Sequence, residues 1–273
     1  MSGVVTGEAT GFGSDCVMIS TKTVCIEKIG YALGKGESLA ELALKAASEL
    51  GTNFTGVIAA TFSNERRFPA LSIKIASELG LAKNIPAFDL QLACSAYPYA
   101  VYLAGKLAED TEGKVLLIDG DVQSRLVDPL DHATGTIFSD ACTASVISVA
   151  DRRKSVFDFY SSYDTALSCS DLGPIQMDGM QVFSFVATEV SKFLKRFGTD
   201  FDRFVPHQAN PYMIRQLAKS LTLEDRLVTL DEKLKNPGSA SIPLTLAMND
   251  VHGRVLIAGF GAGYSASAGI IEI

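Results

Sequence analysis

The chain has 273 residues, 47% of them hydrophobic and 20% charged, enough apolar material for a large core without help from disulfides or metals. A formal net charge of −7 and the lack of any long basic run exclude a general nucleic-acid binder, whose affinity would rest on neutralising phosphates. No run approaches the ~20 apolar residues of a membrane span, and the opening MSGVVTGEATGFG lacks the regions of a secretory signal, so a cytoplasmic protein is expected.

From residue 37 helix-like and strand-like segments alternate, the grammar of an α/β protein with mainly parallel strands. SLAELALKAASELG (38–51) has helical apolar spacing and a glycine stop, and GVIAATF (56–62) reads as a buried strand. FPALSIKIASELGL (68–81) is a helix with its proline in the first turn. ACSAYPYAVYLAGKLAED begins a further helix near Cys94, with Pro98 in its first turn or kinking it. KVLLIDGD (114–121) and CTASVISVA (142–150) are strand candidates. The second half follows with a helix over 180–198, a short strand RFVP (203–206), helices over 210–223 and 241–250, and strands over 254–260 and 265–273.

Two passages echo across the halves. FPALSIKIASELGL aligns with NPYMIRQLAKSLTL, and KVLLIDG with RVLIAGF. No linker rich in Pro, Ser or Gly separates the halves, so a duplicated α/β unit sharing one core is expected, with one half over 1–150 and the other over 151–273.

The five cysteines (Cys16, Cys25, Cys94, Cys142 and Cys169) form no CxxC pair and have no histidine at metal-ligand spacing, so neither a disulfide framework nor a metal site is expected. Cys94 follows the apolar IPAFDLQLA at the start of a helix, where the dipole and unpaired N–H groups would lower a thiol pKa; the same placement suits a packing cysteine. His207, in FVPHQANPYMI, lies where a strand ends and a helix begins, the place where sites gather in open α/β sheets and also where structural histidines occur. His132 and His252 have no such setting. Asn236 opens NPGSASIPLTL, either an ordinary turn or an amide donor suited to a developing oxyanion. GFGAGYSASAG (259–269) could bring backbone N–H groups close to a substrate, but it lacks the strand-to-helix G-x-G-x-x-G pattern of a dinucleotide site.

Together and in this order, these segments resemble the β-ketoacyl-acyl carrier protein synthase III family. ACSAYPYAV resembles its nucleophile segment, VPHQAN its histidine motif, NPGSASIP its asparagine motif, and AGFGAGYSASAG its glycine-rich C-terminal strand pair. The resemblance runs from about residue 40 to the end. It implies a five-layered αβαβα thiolase fold of two similar halves and no cofactor. It implies acyl transfer to Cys94, then decarboxylative condensation with a malonyl thioester in fatty-acid-like or polyketide-type synthesis. His207 and Asn236 would stabilise the enolate, and the backbone N–H groups of Cys94 and Ala262 would form the oxyanion hole.

The resemblance also implies a homodimer, in which Phe68 matches the residue that closes the partner's acyl pocket, and an acyl carrier protein docked near Arg215 and Lys219. Tyr212 and Ser220 replace basic residues expected on that surface. Two departures bear on the donor. The sequence contains no Trp, and DPLDHATGT lacks the arginine that, with a tryptophan, clamps the adenine of coenzyme A, so a carrier-bound acyl donor is expected. Acyl transfer to a non-malonyl acceptor, and a non-catalytic subunit partnering another synthase, are the alternatives. Thiolase proper would need a second cysteine near the C-terminus, where GFGAGYSASAG has none.

Overall fold

In the computed structural model, residues 18–132, 134–170 and 173–273 are described; Cys16 and the first part of the expected N-terminal half lie outside them. The first half comprises β1 (Ile19–Leu33), α1 (Leu39–Ala47), β2 (Gly56–Ala60), α2 (Leu71–Glu78), β3 (Ala87–Leu90), α3 (Ala96–Asp110) and β4 (Val115–Asp121). The long β5 (Ala141–Asp164) leads to the short hairpin strands β6 (Leu167–Ser168) and β7 (Gln176–Met177). After them come α4 (Gly179–Phe185), a π-helical turn (Val186–Val190), α5 (Ser191–Leu194), β8 (Arg203–Pro206), α6 (Pro211–Leu221), α7 (Ser241–Met248), β9 (Arg254–Gly261) and β10 (Gly263–Glu272).

Hydrogen bonding links eight strands in the order β3-β2-β4-β5-β1-β10-β9-β8, with β5 also paired to β10. β5 runs unbroken through the expected boundary at residue 150. Its residues 141–150 and 155–157 pair antiparallel with β1 and its residues 156–164 with β10, so the partner changes along its length with an overlap at Val156 and Phe157. The halves match in pairing: β2 runs parallel to β4 and β4 antiparallel to β5, as β8 runs parallel to β9 and β9 antiparallel to β10.

Strand parity produces the layers. Val57 and Ala59 of β2, with Leu116 and Ile118 of β4, pack outward on α1 and α2, whereas Ile58, Ala60, Val115 and Leu117 face a central layer formed by α3 and α7. From the other side, Val255 and Ile257 of β9 close on the same central layer, and Leu256 and Ala258 pack against the helices from α4 to α6. Helix, sheet, helix, sheet, helix is the expected five-layered αβαβα arrangement.

Local chemistry fixes the helix starts that matter for the site. Ser38 and Glu41 form a reciprocal capping box on α1. Asn210 accepts from the N–H groups of Tyr212 and Met213, with Pro211 at the first position of α6. Pro98 is the third residue of α3 and leaves it unbroken, whereas Pro69 lies before α2, not in its first turn. There Asp89 of β3 accepts from the N–H groups of Leu71 and Ser72.

The sheet is mixed and not mainly parallel, because β5 runs antiparallel to β1, β4 and β10 and β9 antiparallel to β10. Two further expectations need correction. β1 has no counterpart in the segments read from residue 37, and β5 continues 14 residues beyond the expected end at Ala150, because the charged run Asp151–Lys154 is an exposed stretch of strand and not a turn. Among the described residues no helix is long and apolar enough to cross a membrane.

Ile257 is fully buried in the central layer and Met248 is 42% exposed. Ile257→Ala is expected to cost about 2–5 kcal/mol and Met248→Ala about 0.5 or less, read as a difference in urea midpoints; equal losses would contradict this layer assignment.

Candidate active site

A 3-10 turn, Ala93–Ser95, places Cys94 immediately ahead of α3. The second half approaches it closely. A Cβ at Gly259 would lie 2.8 Å from the Cys94 carbonyl oxygen, a distance that excludes any side chain there, and one at Gly261 would press on Cys94 Cβ at 3.1 Å. Two contacts tie the same turn to β10: Ser267 Oγ donates to the Ser95 carbonyl at 2.7 Å, and the Ser95 and Ser265 hydroxyls are 2.6 Å apart.

His207 follows β8 and is buried, its N–H donating to the Ala258 carbonyl. Its Nδ1 is 2.9 Å from Ser241 Oγ, which also accepts from the Gln208 N–H. The ring is therefore held through Nδ1, and a backbone hydrogen bond with Gly238 engages it as well. Asn236 is fixed in a comparable way. Its Oδ1 accepts from the Gly238 N–H at 2.9 Å, an Asx turn that commits the oxygen and leaves the NH2 group to donate elsewhere. The Asn236 backbone pairs with Ile137 and Ser139, and its carbonyl also accepts from Gln123 Nε2.

Two cavities meet at Cys94. One, of about 320 Å³, is lined by Cys94, His207 and Asn236, with Phe183, Tyr212 and Met213 farther out. The other, of about 310 Å³, is lined by Cys94, Leu92, Phe138, Leu167, Ile175 and Ala262, but not by His207 or Asn236. Cys94 therefore stands where two cavities meet, and only the first of them holds His207 and Asn236.

Burial sets the charge states. It pushes the Cys94 thiol up to about 12, with the Asp121 and Asp119 carboxyls adding to the effect, and it lowers His207 to about 4 against a backbone hydrogen bond with Gly238. The expected lowering at a helix start is thus overturned. Raising the thiol from 9.0 to about 12 is worth about 4 kcal/mol against the thiolate, more than the roughly 0.3–2 kcal/mol a helix end supplies. Thiol and imidazole are both neutral near pH 7.

The other expected residues lie apart from this cluster. Phe68 is 84% exposed and lines neither cavity at Cys94. Arg215 on α6 is paired with Glu232 at 3.2 Å, and Lys219 is an exposed residue of the same helix. Sequence reasoning missed Ser241, which stands inside the asparagine motif, and the buried Asp119, Asp121 and Gln123 at the end of β4. For Ser241 the motif was a signal; for the other three, LLIDGDVQ reads as a strand running out into solvent.

Residues 88–165 match the family profile described as 3-oxoacyl-[acyl-carrier-protein] synthase III, and residues 198–273 match its C-terminal counterpart. The chain is 30% identical over 265 residues to the β-ketoacyl-[acyl-carrier-protein] synthase III of Acholeplasma laidlawii, covering 88% of this chain and 85% of that one. With the enzyme of the same name from Campylobacter concisus it shares 31% over 274 residues, covering 87% and 81%. Among solved structures, a 3-oxoacyl-(acyl-carrier protein) synthase from Burkholderia xenovorans superposes with a TM-score of 0.85 at 22% identity, covering 96% of this chain and 97% of that one. The 3-oxoacyl-(acyl carrier protein) synthase III of Pseudomonas aeruginosa gives 0.82 at 24% identity, covering 92% and 98%. At such identities these superpositions establish the fold.

A thiol held near 12 should alkylate slowly. The iodoacetamide rate at Cys94, followed by peptide mass spectrometry, is expected to be low at pH 8 and to climb about tenfold per pH unit above it; a plateau by pH 9 would contradict the buried neutral thiol.

Proposed function

This chain belongs to the β-ketoacyl-acyl carrier protein synthase III family and is a condensing acyltransferase of that type; we propose that Cys94 carries the acyl group while His207 and Asn236 hold the oxygen of the second thioester. The observation that carries this reading is the position of Cys94 between two cavities, only one of which contains His207 and Asn236. An acyl chain fits the cavity walled by Leu92, Phe138 and Ile175, and a thioester arm entering from the Phe183 and Tyr212 side brings its carbonyl to the two donors.

In the first step Cys94 Sγ attacks the carbonyl carbon of the acyl thioester, the thiol proton leaves with the departing thiolate, and an acyl-cysteine remains. In the second, a malonyl thioester loses CO2, and the electron pair of the broken carbon–carbon bond passes into an enolate. Its oxygen receives hydrogen bonds from Asn236 Nδ2 and from His207 Nε2, which carries the ring proton when the Ser241 hydroxyl donates to Nδ1. The enolate carbon attacks the acyl-cysteine carbonyl, whose oxygen turns to the N–H groups of Cys94 and Ala262. Collapse of that intermediate expels the Cys94 thiolate, which takes up a proton. Neutral His207 suits this role, since a donor at neutral pH is needed and a full charge is not.

The acceptor is carried on an acyl carrier protein that docks by Arg215 and Lys219, and the chain works as a cytoplasmic homodimer in which Phe68 reaches the partner. The high exposure of Phe68 supports the last point, while the ion pair between Arg215 and Glu232 leaves Lys219 the main charge for docking. The change of strand partner along β5 supports a division into halves at 1–150 and 151–273.

The test weighs intact protein and products after incubation with acyl thioesters and malonyl-acyl carrier protein. Cys94→Ala is expected to take no acyl group. His207→Ala and Asn236→Ala should still load it but condense about 10²–10³-fold more slowly. Acylation of Cys94→Ala, or undiminished condensation by Asn236→Ala, contradicts the proposal.

A further inference from the structure

The side chain of Asn236 is aimed by its backbone. Oδ1 accepts from the Gly238 N–H, so the direction of the NH2 group follows the path of residues 236–238. The chain would not hold that path alone. Lys235, immediately before it, has a φ of 56°, a left-handed conformation that a residue other than glycine keeps only where its surroundings over-determine it.

The surroundings that fix it come from residues 137–139. The Asn236 N–H donates to the Ile137 carbonyl and the Ser139 N–H to the Asn236 carbonyl, each at 3.1 Å, and Ser139 Oγ donates to the Leu234 carbonyl. One side chain reinforces both members of this short pairing. Gln123, 1% exposed, donates through Nε2 to the Ser139 carbonyl and to the Asn236 carbonyl, both at 3.0 Å. A flipped carboxamide would set Oε1 against two carbonyl oxygens, so the donor end is the one that faces them. Gly238 packs on the same amide, since a Cβ there would stand 3.4 Å from Nε2. Gln123 is itself held in a 3-10 turn, Gln123–Arg125, in which Ser124 donates to Asp140 through both its N–H and its hydroxyl.

We propose that Gln123, from the first half, is a positioning residue for Asn236 and acts on condensation, not on the loading of Cys94. The inference rests on the reading that Asn236 holds the second thioester. Without the two Nε2 bonds, the turn is tied to residues 137–139 by fewer contacts. Lys235 can then relax, and the Asn236 NH2 group moves off the thioester oxygen. A donor displaced by a fraction of its hydrogen-bond length already slows the step it serves. Gln123 also lines the cavity walled by Leu92 and Ile175. A residue that served only as that wall would act on loading.

The experiment follows the two steps separately. Loading of Cys94 from a hexanoyl pantetheine thioester is read by intact mass, and condensation of the preloaded protein with malonyl-acyl carrier protein by product mass. Gln123→Met is expected to load within about twofold of the unaltered protein and to condense about 10–100-fold more slowly. In an Asn236→Ala background the same change is expected to cost less than about twofold, because the group it positions is gone. Gln123→Ala leaves room for a water on the two carbonyls and is the second variant should Gln123→Met not fold; it is expected to show the same split at about three- to tenfold. Equal losses in loading and condensation, an undiminished condensation rate in the folded variant, or the same loss in both backgrounds overturns the inference and leaves the reading of Asn236 intact. Undiminished condensation by Asn236→Ala overturns both.

Discussion

The site exists because a turn of the first half and two strands of the second come within contact distance. Cys94 belongs to the turn ahead of α3, while His207 and Asn236 belong to the other half, and the join between them is the passage of β9 across Ala93–Ser95. Gly259 and Gly261 permit that passage, and the serines of β10 bind the turn from the far side. Close packing at this join removes water from both the thiol and the imidazole, and their neutral states follow from it. The usual picture of a cysteine ionised by a helix end does not apply to the resting protein.

Behind the Asn236 turn lies a polar network that the first half supplies. Ser239 donates to Asp119 at 2.5 Å, Gln123 donates to the Asn236 carbonyl, and Ile137 and Ser139 pair with the Asn236 backbone. Burial raises Asp119 well above the ordinary carboxylate range despite the Ser239 bond, and brings Asp121 up to about 6 despite three donors on Oδ1. The same two carboxyls add to the burial that raises the Cys94 thiol. Positions that in isolation look like the exposed end of a strand thus hold the donor of the second half in place.

Much of this was legible in the sequence where the cause is local. Ser38 with Glu41, and Asn210 with Pro211, announce their helices through chemistry confined to one turn, and the fully buried β2 and β4 read as continuous apolar runs. β1 escaped because TKTVCIEKIGYAL mixes charged and apolar residues without flanking turn signals, and its pairing with β5 is long-range. The end of β5 escaped because a run of charge in an exposed stretch of strand resembles a turn. Cys94, His207 and Asn236 could be singled out by their motifs. The charge states of Cys94 and His207 could not, since the water is excluded by residues distant in sequence, Gly259 and Gly261 against Cys94 and Ser241 and Phe260 against His207.

The neutral, Nδ1-anchored imidazole is the most direct expression of that exclusion. Nitrogen-15 NMR of labelled His207 between pH 5 and 8 tests it: the account predicts a neutral ring and no titration across the range, since the pKa lies at about 4. A titration centred near the ordinary 6.5 would contradict it.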